Sequence, residues 1–124
     1  MPDKKVIIKA LFQIGELFMA IKEILEKCDH TLLRVDCTAQ EIRSLCDQAI
    51  KYNCASVCIP PAHVAGAKRY VGDKLTLCTV IGFPNGYTTS AVKAYEAADA
   101  IKNGAKEIDM VINLGIKSMD KKKK

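Results

Sequence analysis

The sequence predicts an α/β protein built on a parallel sheet. From Asp29 onward the chain alternates between short β-rich runs and stretches with helical spacing of apolar residues. Each stretch between two runs is long enough to hold a crossover helix, which parallel strands require. Residue types suited to starting and stopping helices stand at the changes of pattern.

The strand-like runs lie at about 29–33, 55–59, 75–81 and 107–113. Between the first two, Thr38 and Glu41 form a capping box. Ile42, Leu45, Cys46, Ala49 and Ile50 then make one apolar stripe. Pro61 suits the first position of the next helix, Val64, Ala67 and Val71 its buried face, and Gly72 its stop. Thr88 or Thr89 caps a third helix, which ends at Gly104. Ahead of Asp29, residues 4–28 read as one long helix with Ile7, Leu11, Ile14, Phe18, Ile21 and Leu25 aligned. Val6, Ile8, Phe12, Leu17 and Ile24 widen the stripe, so this helix is expected to bury much of its circumference. A strand at Val6 to Ile8 followed by a shorter helix is the alternative.

At 124 residues, with 49% hydrophobic and 27% charged residues, the chain suits one globular domain. The formal net charge of +5 includes four charges in the run Lys121 to Lys124; without them the body carries +1. A nucleic-acid binder places its basic charge on a folded face, so neither a nucleic-acid partner nor a membrane partner is expected. A polybasic binding module based on this tail is the weaker alternative. Lys9, Gln13 and Glu16 interrupt the N-terminal apolar stretch and argue against a signal peptide or a membrane span. Cys28, Cys37, Cys46, Cys54, Cys58 and Cys78 form no C-x-x-C pair, and most sit in apolar runs. Buried, reduced thiols in a cytoplasmic protein are expected.

Four segments together carry a resemblance. They are Asp29-His30-Thr31-Leu32-Leu33; Ala55 to Ile59 with Pro61 and Val64; Cys78-Thr79-Val80-Ile81-Gly82-Phe83-Pro84 with Gly86; and Gly104-Ala105 before Glu107-Ile108-Asp109-Met110-Val111-Ile112-Asn113. In order and spacing, with Val92-Lys93-Ala94 and Glu96-Ala97 between, roughly residues 20–118 resemble the first four strands of deoxyribose-phosphate aldolase. The resemblance implies a half (βα)8 barrel. In that family a lysine forms a Schiff base and no metal or other cofactor is used. The reaction cleaves 2-deoxy-D-ribose 5-phosphate to acetaldehyde and glyceraldehyde 3-phosphate.

Alternation along the fourth run puts Ile108, Met110 and Ile112 on one face, suited to packing under helices. Glu107, Asp109, Val111 and Asn113 share the other, which points into a barrel. By resemblance Asp109 is the active-site aspartate that helps move protons, and Asp29, Thr31 and Cys58 line the substrate. Asp29 also suits a plain turn or cap, and Cys58 suits packing, with no catalytic role assigned. Asn85 and Gly86 suit either the site rim or a simple turn. His30 and His63 lack ligand-like companions and are expected to be structural.

The resemblance stops after Ser118, and the family's Schiff-base lysine belongs to the later strands. Lys51, Lys68, Lys74, Lys93, Lys102 and Lys106 are expected on helix surfaces or loops, and Lys9 lies outside the matching region. The expected organisation is an added helical segment at 1–18, an aldolase-like half-barrel at 19–118 and a lysine-rich tail at 119–124. Those ends suggest an excised or redesigned half-barrel, inactive alone and mainly a structural scaffold. Completion by a complementary half or a second chain would restore an aldolase. The expected partner is a second copy in a homodimer, or such a half, and a sugar phosphate only when the barrel is whole. Residues 4–25 are expected to cover the sheet surface left bare, within one chain or exchanged between two.

Overall fold

The computed structural model describes residues 3–116. A long helix α1 (Lys4–Leu25) leads into β1 (Asp29–Thr31), α2 (Ala39–Lys51), β2 (Ser56–Ile59) and α3 (Pro61–Val71). The chain continues through β3 (Leu77–Ile81), α4 (Ser90–Asn103) and β4 (Glu107–Met110). The four strands form one parallel sheet in the order β1-β2-β3-β4. Each expected strand is present, trimmed at its ends. The lysine tail and the Lys117–Ser118 boundary lie outside the described residues.

The local signals act as read. The Thr38 side chain accepts from the Glu41 amide while the Glu41 carboxylate accepts from the Thr38 amide at 2.7 Å, closing the capping box that starts α2. Pro61 begins α3, where its missing N–H costs nothing. Thr89, not Thr88, caps α4, and Gly104 ends it in the left-handed region at φ 116°.

One face of the sheet packs against α2, α3 and α4. Val57 and Ile59 of β2 and Leu77 and Ile81 of β3 meet Ile42, Leu45, Cys46 and Ala49 of α2 and Val64, Ala67 and Val71 of α3, all buried. Thr79 shares this face and satisfies its hydroxyl on the Ile59 carbonyl at 2.7 Å. Fully burying a side chain such as Ile59 contributes roughly 1.5–3 kcal/mol, so this cluster holds the fold. Ile50 is the exception in its stripe: at the last turn of α2 it is 39% exposed.

Three further expectations are corrected. First, α1 buries no residue, and its large apolar side chains other than the half-buried Leu25 stand in solvent, so among the described residues it does not cover the sheet. It runs unbroken through residues 18 and 19, and no strand forms at Val6 to Ile8. Second, Ile108 packs on the core, but Met110 and Ile112 are exposed, because β4 is the sheet edge and α4 covers β3 instead. Third, Lys93 is buried. All six cysteines are free thiols; Cys37, Cys46, Cys58 and Cys78 are buried, whereas Cys28 and Cys54 are only half-buried. No helix among the described residues is long and apolar enough to cross a membrane.

Candidate active site

The second face of the sheet, away from the helices, gathers the residues singled out in the sequence. Strand alternation and the parallel register fix its rows. Asp29 lies opposite Ser56, and Thr31 opposite Cys58. Cys58 lies opposite Cys78, Cys78 opposite Glu107, and Val80 opposite Asp109. Asp29, Thr31, Cys58 and Asp109 thus share one face, with Ser56, Cys78, Val80 and Glu107 among them.

The middle of this face differs from the bare surface expected of half a barrel. Cys58, Cys78 and Val80 are each 5% exposed and form their own small cluster, with Leu33 packed against it. Ser56 is wholly buried. The exposed positions are at the two edges: Asp29 and Thr31 on β1, Glu107 and Asp109 on β4.

Asp29 is no free turn residue. Ser56 donates its hydroxyl to Asp29 Oδ1 at 2.6 Å, tying the carboxylate to the adjacent strand. Thr31 turns its hydroxyl back onto the Asp29 carbonyl at 2.9 Å. Burial pushes the Cys58 thiol up, a hydrogen bond with Cys78 opposes this, and the Asp109 and Asp29 carboxylates reinforce it. Burial, then Cys58, then Asp29 and Glu107 push Cys78 up to about 12. Both thiols therefore stay neutral near pH 7. A neutral, buried thiol is a packing group and a poor nucleophile.

No inner-face position of the four strands is a lysine. The buried Lys93 belongs to α4, on the helix side. Its Nζ donates to the Gly86 carbonyl at 2.6 Å, and its stem lies against Gly82. Three residues along α4, Glu96 accepts from the Gly82 amide at 2.8 Å. Lys93 and Glu96 together pin the loop that follows β3. The sequence signal for this was Lys93 in line with Ala97 and Ala100, a spacing that places it on the packed face of the helix.

That loop and its neighbours form the mouth at the C-terminal ends of the strands, where barrels of this kind build their sites. Gly86 is required there: its φ is 70°, and a Cβ would come within 2.3 Å of the Ile112 carbonyl oxygen. Asn85 bonds the Tyr87 hydroxyl at 3.1 Å. A cavity of ≈ 370 Å³ opens at the mouth, lined by Leu33, Val35, Cys37, Pro60, Pro61, Ala62, His63, Val80, Phe83, Pro84 and Glu96. No lysine or arginine is among them. Arg34, on the loop after β1, is bound to Asp36 and Glu41. His30 bonds Gln48 of α2 through Nε2 at 2.9 Å, a structural place on the helix side. Among the described residues no group of three or more His, Cys, Asp or Glu could hold a metal ion.

Comparison with known proteins agrees with the fold. Deoxyribose-phosphate aldolases of Streptococcus pyogenes serotype M4 and Streptococcus agalactiae serotype Ia are each 57% identical over 96 residues. The match covers 77% of this chain and 43% of each relative, so the chain spans less than half their length. A solved structure assigned to deoxyribose-phosphate aldolase from Coccidioides immitis superposes with a TM-score of 0.76 at 37% identity, covering 79% of this chain and 39% of its own. The aldolase of Aeropyrum pernix, described as a tetramer, gives 0.73 at 29% identity, covering 77% of this chain and 41% of its own. The relatives are matched over their N-terminal part, and the four-stranded sheet corresponds to part of their barrel. Residues 24–124 match the DeoC/LacD family aldolase, and the chain belongs to that family.

Proposed function

We propose that this chain is the structural half of a deoxyribose-phosphate aldolase barrel, and that its described residues do not cleave 2-deoxy-D-ribose 5-phosphate unaided. One observation carries this reading: the inner face presents carboxylates, Asp109 among them, and no lysine. Schiff-base chemistry needs an amine that loses its proton near neutral pH, in an apolar site or beside another cation. Lys93, the buried lysine, belongs to α4 and is committed to the Gly86 carbonyl. The cavity at the mouth also has no lysine or arginine to grip a phosphate, His63 being its one basic side chain.

In the proposed role Asp109 moves protons at the reacting carbons, and Asp29, held by Ser56, lines the substrate with Thr31 and Cys58. Each needs an amine delivered to the inner face by further strands. Those are strands five to eight of the barrel, since a second copy would bring the same lysine-free face, and only with them does a sugar phosphate bind. The test is a retro-aldol assay on the purified chain, alone and mixed with a polypeptide covering strands five to eight of a streptococcal relative. The expected result is no turnover alone and turnover in the mixture. Robust turnover by the chain alone, abolished by substituting one of its lysines, would overturn the proposal.

A further inference from the structure

Lys93 is the one charged side chain buried among the described residues, at 8% exposed. No ion pair among those residues involves it. Burying an ammonium without an opposite charge is costly, and a methionine would fill the same space against Gly82 at lower cost. What the ammonium adds is a donor. Its Nζ donates to the Gly86 carbonyl at 2.6 Å.

The place of that carbonyl connects Lys93 to the inner face. The loop after β3 closes on itself where the Gly86 amide donates to the Gly82 carbonyl at 2.7 Å. Glu96 holds the loop at the Gly82 amide, and Lys93 holds it at Gly86. Gly86 in turn lies against the chain just past β4. A Cβ at Gly86 would meet the Ile112 carbonyl oxygen at 2.3 Å and Val111 Cγ1 at 2.7 Å. The Val111 amide donates to the Ile81 carbonyl at the end of β3, at 2.9 Å. The end of β4 is thus set between β3 and the Gly86 turn. Asp109 stands two residues before Val111 and, by alternation, on the same face. Because β4 is the sheet edge, no further strand among the described residues steadies it.

From this chain of contacts we infer that Lys93 is a positioning residue for Asp109. By holding Gly86 it fixes the loop that braces the end of β4, and with it the carboxylate two residues back. Lys93 acts through the loop and is not a catalytic residue. The inference rests on the proton-moving role proposed for Asp109, so its test includes a readout independent of turnover.

Lys93→Met keeps an unbranched stem against Gly82 and removes the donor. In the full chain alone, amide hydrogen exchange should quicken about tenfold at Gly86 and Val111, the size expected when a buried carbonyl loses its partner. Exchange should hold at Val57, bonded to the Thr76 carbonyl, and at Lys106, bonded to the Leu77 carbonyl ahead of β4. A lysine that merely supports the fold would speed all four alike. Gly86→Ala, which crowds the turn off Ile112, should quicken Val111 with Lys93 intact. In the mixture with strands five to eight, Lys93→Met should lower kcat about 10- to 100-fold, as a small misplacement of a reacting group does. KM should stay nearly unchanged, because Asp29, Thr31 and Cys58 lie on β1 and β2. Unchanged exchange at Val111 in Lys93→Met would overturn the inference. Equal quickening at all four amides would do the same, as would a raised KM with kcat intact. A mixture without turnover from the unsubstituted chain counts against the proposed function, and the exchange at Val111 then decides the inference by itself.

Discussion

The two faces of the sheet are built from the same four strands and do different things. Toward the helices, Val57, Ile59, Leu77 and Ile81 are at most 1% exposed and packed by side chains of α2 and α3. On the inner face the middle closes with two small thiols and a valine, and carboxylates stand at the edges. One face is covered by helices; the other leaves carboxylates exposed at its two edges, Asp29 tied to Ser56 among them. Stability and chemistry are therefore separable by substitution, one strand position apart.

The largest effect belongs to the packed face. Ile59→Ala should lower the free energy of unfolding by about 3 kcal/mol, since it leaves a cavity at a fully buried site. A urea unfolding midpoint measures this. Loss of less than about 1 kcal/mol would mean that the helices repack easily and that the comparison of faces is too sharp.

An intermediate effect comes from the inner thiols. The folded-state value of Cys78 is raised from the ordinary 9.0 to about 12, chiefly by burial. The neutral thiol is the form the fold favours. Its contribution is fully present below pH 9 and is lost as pH rises from 9 toward about 12. One unit above the ordinary value this amounts to about 1 kcal/mol. Urea midpoints at pH 8, 9 and 10 should fall less steeply in Cys78→Ala than in the unsubstituted chain. Equal slopes would place Cys78 in contact with water.

The smallest effect is expected at Asp109, the position given the proton-moving role in the proposed function. Asp109 is exposed at the β4 edge, so Asp109→Asn should change stability by less than about 0.5 kcal/mol. In the mixture with strands five to eight of a relative, the same substitution should abolish the turnover described above. A large stability loss would make Asp109 a structural residue of the half-barrel.

Much of the fold was legible because its signals are local. The Thr38–Glu41 box, Pro61 and Gly104 each act within one helical turn, and the strand alternation placed Asp109 with Asp29. What escaped the sequence depends on contacts distant along the chain. Lysine on a helix reads as surface by default, yet the loop after β3 folds a carbonyl into reach of Lys93. The burial of Cys58, Cys78 and Val80 depends on how tightly two adjacent strands bring small side chains together. The apolar stripe of α1 was visible too; its width suggested cover for the sheet, within one chain or exchanged between two, and no surface among the described residues buries it.

In the proposed reading the inner face holds the family's carboxylate, Asp109, and lacks its amine. Borohydride reduction in the presence of 2-deoxy-D-ribose 5-phosphate, followed by mass spectrometry of the intact chain, tests it most directly, because a reduced Schiff base is a stable adduct. The account predicts no adduct beyond the scattered labelling that any lysine-rich protein shows. A stoichiometric adduct on one lysine, lost when that lysine is substituted, would contradict it.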